Sequence, residues 1–333
     1  MRPPIAIIDT ENLRYNALEI KKLCLKSKFC AVVKSNAYGH GIAECSRAVY
    51  DIVDCFAVSL LNEAITLRYA GIDKDILMLL PPSKDEISAL IRHGITITVD
   101  NPKRLKDVKE AASAINKTAK VAIAVNTGMN RLGIDSLQEL DEMSDVCRKN
   151  VKSLKITDIF SHFANNYDLE FTQKQYENLL PFADKIKRDF DVKAHISASG
   201  GLLIGGYNLD MVRVGIMLYG YLPFASEKIK LKKVMTIKAQ TIDTRFLREG
   251  DHLLYGDYIV KNNSKINIVN YGYTDCGKRK FMQGSVNNLC MDLSASENGG
   301  RVLSDADKIA NENDTISYEV LTNATSRCEL IYK

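Results

Sequence analysis

From Phe29 onward, short apolar runs alternate with longer segments of helical spacing. The runs lie at Phe29–Val33, Cys55–Ser59, Ile76–Leu80, Ile95–Val99, Val121–Val125, Ile156–Phe160, Lys193–Ile196 and Met211–Gly215. Between them, Asn62–Ala70, Lys84–His93, Pro102–Ile115 and Thr172–Phe190 place apolar residues on one helical face. A strand over Ile5–Asp9 and a helix over Thr10–Lys26 come first. Uninterrupted apolar strands belong to a sheet covered on both faces, which is the parallel arrangement. Eight such alternations fit a closed (β/α)8 barrel, whereas a doubly wound sheet more often has roughly five to seven strands. Beyond Pro223 the alternation stops. Met235–Thr244, Lys265–Tyr271 and Thr315–Val320 then read as strands, broken by turns at Asn262-Asn263-Ser264 and Asn298–Arg301. The fold class predicted is α/β: a TIM-like barrel over residues 11–222, followed by a C-terminal all-β domain over residues 223–333. The strand within residues 1–10 is assigned to that second domain.

Composition narrows the function classes. In 333 residues, 45 basic and 41 acidic side chains leave a net charge of +4, which selects no polyanion, so no nucleic-acid partner is expected. The longest apolar runs end at turns such as Pro81-Pro82 and are too short to cross a bilayer, and the N-terminus has no signal-peptide pattern. No membrane segment is expected within this chain. Eight cysteines without a CxxC pair suggest neither a metal site nor a disulfide framework, and favour a reducing, cytoplasmic setting.

In a barrel, working groups sit at the C-terminal ends of the strands. Lys34 ends the first barrel strand and is followed by Tyr38-Gly39-His40-Gly41, where the glycines permit a sharp turn. It is either a surface lysine just past a strand or a partly desolvated amine able to form a Schiff base. Asn126–Gly133, directly after a strand, combines two glycines with Arg131; taken alone it reads equally well as a turn with a solvated arginine or as part of a site. Ser197–Gly201 is either a plain N-cap or a phosphate cradle that uses Ser199. Arg213, inside the apolar run Met211–Ile216, needs acceptors unless it is edge-exposed. His162, Tyr255 and Tyr273 are packing residues or site residues on this reading alone.

Taken together and in order, these segments resemble the alanine racemase family of pyridoxal phosphate enzymes. The resemblance rests on Val33-Lys34 through Gly41, Asn126-Thr-Gly-Met-Asn-Arg-Leu-Gly133, Ser161-His162-Phe163-Ala164, Val212–Ile216, Leu254-Tyr255-Gly256, Gly272-Tyr273 and Cys290-Met291-Asp292. It implies pyridoxal 5'-phosphate bound covalently to Lys34, its phosphate held by Tyr38, Ser199, Gly215 and Ile216, and Arg213 facing the pyridine nitrogen. Arg131, Met291 and Tyr273 would bind a small amino-acid substrate. Lys34 and Tyr255 would be bases on opposite faces, with His162 and Arg213 lowering the tyrosine's pKa. The resemblance also implies a head-to-tail homodimer whose β domains complete each other's sites. A single-domain pyridoxal phosphate carrier would lack the second domain, and the related decarboxylases set an acidic residue where Arg213 stands.

Two departures follow from the same resemblance. Many relatives have a carbamylated lysine where this chain has Ala124, so Arg131 must be held by Asn126, a bound anion or water. Relatives often narrow the pocket with a C-terminal tyrosine whose position is matched here to Ser326 or Asn323. A smaller polar group there would admit serine, which makes a serine racemase the alternative to an alanine racemase. That alternative includes a cytoplasmic domain cut from a membrane-anchored racemase.

Overall fold

The computed structural model describes residues 3–255, 257–276, 290–297 and 299–333. Gly256 and Asn298, which belong to the Tyr255 motif and to one predicted turn, lie outside the described residues.

β1 (Ile5–Ile8) precedes eight parallel barrel strands. These are β2 (Lys28–Val32), β3 (Cys55–Val58), β4 (Ile76–Met78), β5 (Ile97–Val99), β6 (Ala119–Ala124), β7 (Leu154–Phe160), β8 (Lys193–His195) and β9 (Met211–Val214). They pair in the orders β4-β3-β2-β9 and β5-β6-β7-β8. Parallel bridges Leu77 to Thr96 and Ala198 to Arg213 join the two halves, so the ring closes. All eight predicted runs are strands, with ends shifted by two residues at most.

The intervening helices start where local chemistry caps them. Asp9 accepts from the Asn12 amide at 2.9 Å to open Thr10–Cys24, whose Leu13, Ala17, Ile20 and Cys24 face the core. Asn101 and Pro102 open Pro102–Ala114 in the same way. Among the described residues no helix is long and apolar enough to cross a membrane.

β1 runs antiparallel to β10 (Met235–Lys238) and parallel to β15 (Glu329–Tyr332), while β14 (Arg301–Leu303) flanks β10. A second sheet holds β11 (Thr241–Leu247), β12 (Ser264–Val269) and β13 (Ser294–Ser296), all antiparallel. The run Met235–Thr244 therefore divides between two sheets. The strand expected at Thr315–Val320 is a correction. Ser317–Asn323 is a helix, because Val320, Leu321 and Ala324 recur at helical spacing and are buried together.

After β2 the chain makes a left-handed helical turn. Ser35, Asn36, Ala37 and Tyr38 have φ of 52°, 53°, 54° and 52°, and Gly39 follows at 82°. For four residues with a Cβ this costs about 4–8 kcal/mol. Amides of Ala37, Gly39 and Gly41 donate to Val33, Ser35 and Asn36 carbonyls at 2.8, 2.9 and 2.9 Å. The Asn36 side chain accepts from Ile42 N at 2.9 Å, and His40 Nδ1 lies 3.0 and 2.9 Å from the Ala37 and Tyr38 carbonyls. The helix 317–323 braces the turn from the second domain. A Cβ on Gly39 would overlap the Leu321 carbonyl oxygen, and Thr325 Oγ1 donates to the Gly39 carbonyl at 2.9 Å.

Gly39→Ala is accordingly expected to cost about 3 kcal/mol. Gly71→Ala, at φ 84° with open space around it, should cost only about 1 kcal/mol. Paired denaturant titrations check this, and equal losses would show that the contact with the helix carries no cost.

Candidate active site

The carboxyl ends of the barrel strands open into a cavity of about 660 Å³. It brings together Lys34, Tyr38, Arg131, His162, Ser199, Arg213, Gly215 and Ile216. Lys34 begins the left-handed turn. Burial lowers the pKa of its amine, the Arg131 cation adds to this, and the Glu63 carboxylate opposes it. Glu63 is committed to backbone amides, accepting from Ser35 at 2.6 Å and from Ser59 and Leu60 at 2.8 and 3.1 Å.

Arg213 is only 3% exposed, which excludes the edge position. Its guanidinium donates to the Ser161 and Ile196 carbonyls at 2.7 and 3.2 Å, to His162 Nδ1 at 3.2 Å and to His195 Nδ1. Burial lowers its pKa to about 10, so it stays protonated near neutrality. His162 is pushed down to about 3 by burial, then by Arg213, Arg131 and Lys34. A ring that accepts at Nδ1 and is neutral carries its proton on Nε2.

Ser199 Oγ accepts from the Gly215 amide at 3.3 Å, and a Cβ on Gly215 would stand 2.5 Å from the Tyr38 hydroxyl. These residues fit pyridoxal phosphate. Lys34 would supply an amine for its aldehyde, Ser199 and Tyr38 would supply hydroxyls beside the backbone of Gly215, and Arg213 would supply a fixed donor for its ring. Among the described residues no group of three His, Cys, Asp or Glu is placed to hold a metal.

Tyr255, Met291 and Tyr273 do not line this cavity. Tyr255 is 82% exposed and Met291 is 55% exposed, both on the second domain. Tyr273 and Met291 lie on adjoining segments, since Tyr273 N donates to Cys290 O at 2.9 Å and Thr274 N to Met291 O at 3.1 Å.

The pocket-narrowing position is a second correction. Ser326 Oγ donates to the Thr274 and Asp275 carbonyls at 3.2 and 2.7 Å, and Asn323 Nδ2 donates to Glu319 O at 2.9 Å. Neither lines the cavity. Tyr318 does, with its ring 5.9 Å from that of Tyr38. Because residues 317–323 are helical, Tyr318 on the first turn faces the cavity while 323 and 326 fall beyond it.

Ala124 ends β6 beside a void of about 30 Å³ that Arg131 and His162 also line. Asn126 does not bind the Arg131 guanidinium. It fixes the loop that carries it, accepting from the Gly128 and Asn130 amides at 3.1 and 2.9 Å and donating to Asp135 at 2.8 Å.

His195, not singled out in the sequence, shares Arg213 with His162 and stacks on Phe160 at 5.2 Å. Its only sequence signal was a histidine inside an apolar strand.

Residues 8–223 match the family model for the alanine racemase N-terminal domain. Over 359 residues, covering 98% of this chain and 92% of the relative, it is 32% identical to an alanine racemase of Methylacidiphilum infernorum. It is 30% identical over 373 residues to that of Clostridium tetani, covering 100% and 96%. The solved alanine racemase of Clostridium difficile 630 superposes with a TM-score of 0.91 at 27% identity, covering 99% of this chain and 96% of that one. Barrel, cofactor cradle and full-length similarity agree: the chain belongs to the alanine racemase family of pyridoxal phosphate-dependent amino-acid racemases.

Proposed function

We propose that the enzyme interconverts L- and D-alanine with Lys34 and Tyr255 as bases on opposite faces of Cα, Tyr255 being supplied by a second copy in a homodimer. The observation that carries this reading is the clustering of Lys34, His162, Arg213 and Arg131 around one cavity while Tyr255 stands exposed outside it.

Pyridoxal phosphate, when bound, supplies the electron sink that makes the Cα proton removable. Racemisation takes a proton from one face and returns one to the other, which calls for two bases. Free lysine has a pKa of about 10.4, which must be lowered for it to act as a base near neutrality. For Lys34, burial and the Arg131 cation act in that direction. For Tyr255, the Nε2–H of a neutral His162, backed by the buried Arg213 cation, is the hydrogen-bond donor that would face its oxygen. Arg213 does not give up its proton near neutrality, so it would leave the ring nitrogen of the bound cofactor unprotonated and restrain side reactions. Arg131, at the rim, pairs with the substrate carboxylate, together with Met291 and Tyr273 from the partner.

Tyr318 in the cavity favours alanine over serine, because the room expected from Ser326 is not there. All eight cysteines are free, which supports a reducing, cytoplasmic setting. D-Alanine made there would serve cell-wall synthesis.

The test is a panel of L-amino acids incubated with the purified enzyme, followed by chiral chromatography. D-Alanine is expected as the main product, with D-serine minor. Absence of any D-product would overturn the reading in favour of a carrier of the cofactor.

A further inference from the structure

We propose that Asp158 is a positioning residue for Arg213, acting through His195 to lock the guanidinium in the orientation the cavity requires. The inference rests on the reading that Arg213 faces the cofactor ring. Every hydrogen bond of Arg213 ends on a neutral acceptor, and among the described residues no carboxylate touches it. One of those acceptors, His195 Nδ1, can accept only while the ring's proton is on Nε2. The other tautomer would set N–H against N–H.

The group facing Nε2 fixes the Nε2–H tautomer from the other end of the ring. His195 is fully buried, and its Nε2 lies 3.5 Å from Asp158 Oδ1, on a side chain 3% exposed. Among the described residues Nε2 has no other hydrogen-bond partner. A buried N–H left without an acceptor costs about 1–3 kcal/mol, so the pair is driven to close. Lys193 Nζ, 3.2 Å from the same oxygen, pairs with the carboxylate as well. Strand register makes the arrangement. β7 and β8 align Asp158 with Lys193 and Phe160 with His195, and the Phe160 ring, stacked 12° from parallel to that of His195, restrains its rotation. Burial and the Arg213 cation keep His195 neutral, at about 4.

The experiment uses the holoenzyme with ¹⁵N-labelled histidine. Ring-nitrogen correlations are expected to show His195 as the single Nε2–H tautomer. Asp158→Leu should give mixed tautomers and a kcat about tenfold lower, with KM for alanine within about twofold, because Arg213 shifts without touching the substrate carboxylate. Asp158→Asn, which keeps an acceptor, should restore both the tautomer and most of kcat. Wild-type His195 in the Nδ1–H or imidazolium form overturns the proposal whether or not either variant folds. So does a folded Asp158→Leu protein with unchanged tautomer and kcat. Failure of the racemase reading would appear differently, as no D-product from the wild type, while the His195 tautomer is read independently of turnover.

Discussion

Lys34→Ala is expected to lower alanine racemisation by at least about 10⁴-fold, the upper end of what one acid–base group contributes, because the same side chain also anchors the cofactor. Borohydride reduction followed by peptide mass mapping should find the cofactor's mass on the Lys34 peptide of the wild type and nowhere in the variant. Folding should survive. Burial lowers the Lys34 pKa in the folded state, so its charged form opposes folding and its loss removes no support. The sign of the linkage follows. In the cofactor-free protein the unfolded chain holds the Lys34 proton more tightly, so stability rises with pH between the lowered folded pKa and 10.5. The Lys34→Ala protein should lack that alkaline rise when melts are compared across pH. Retained racemisation by dialysed Lys34→Ala protein would remove Lys34 from the mechanism.

The parts of this site that were legible in the sequence are those carried by one segment. Lys34 is marked by its own strand and by the glycines after it, and Arg213 by the apolar run around it. The barrel was legible because parallel strands buried on both faces must be apolar throughout. His195 and Asp158 were not legible, since their meaning lies in the register between β7, β8 and β9 and not in any one of them. The left-handed turn was half legible. Gly39 and Gly41 announce a change of direction, but nothing in Ser35-Asn36-Ala37-Tyr38 says that four residues with side chains will share it. That conformation is enforced from outside, by Glu63, His40 and the helix at 317–323. Tyr318 was missed, and Ser326 or Asn323 taken for it, for a related reason. A short β-branched run such as Thr315–Val320 satisfies strand and helix patterns alike, and the choice is made by burial of Val320 and Leu321 against the barrel.

Tyr255→Phe is expected to leave Lys34 loaded with cofactor while slowing proton abstraction from L-alanine by about 10³-fold, and abstraction from D-alanine much less. Half-reaction exchange of the Cα proton in ²H₂O reads the two directions separately, and equal slowing would contradict the assigned faces. The variant also settles where the tyrosine comes from. Tyr255 is 82% exposed and does not line its own chain's cavity, so the proposed role places it in a neighbour's site. Lys34→Ala and Tyr255→Phe chains, each nearly inactive, should therefore rescue one another when dissociated together and allowed to reassociate. A mixed two-fold dimer holds one site with both native residues and one with neither. Random pairing makes half of the dimers mixed, so about a quarter of wild-type activity should return. Two sites each built from a single chain would give no rescue at any mixing ratio.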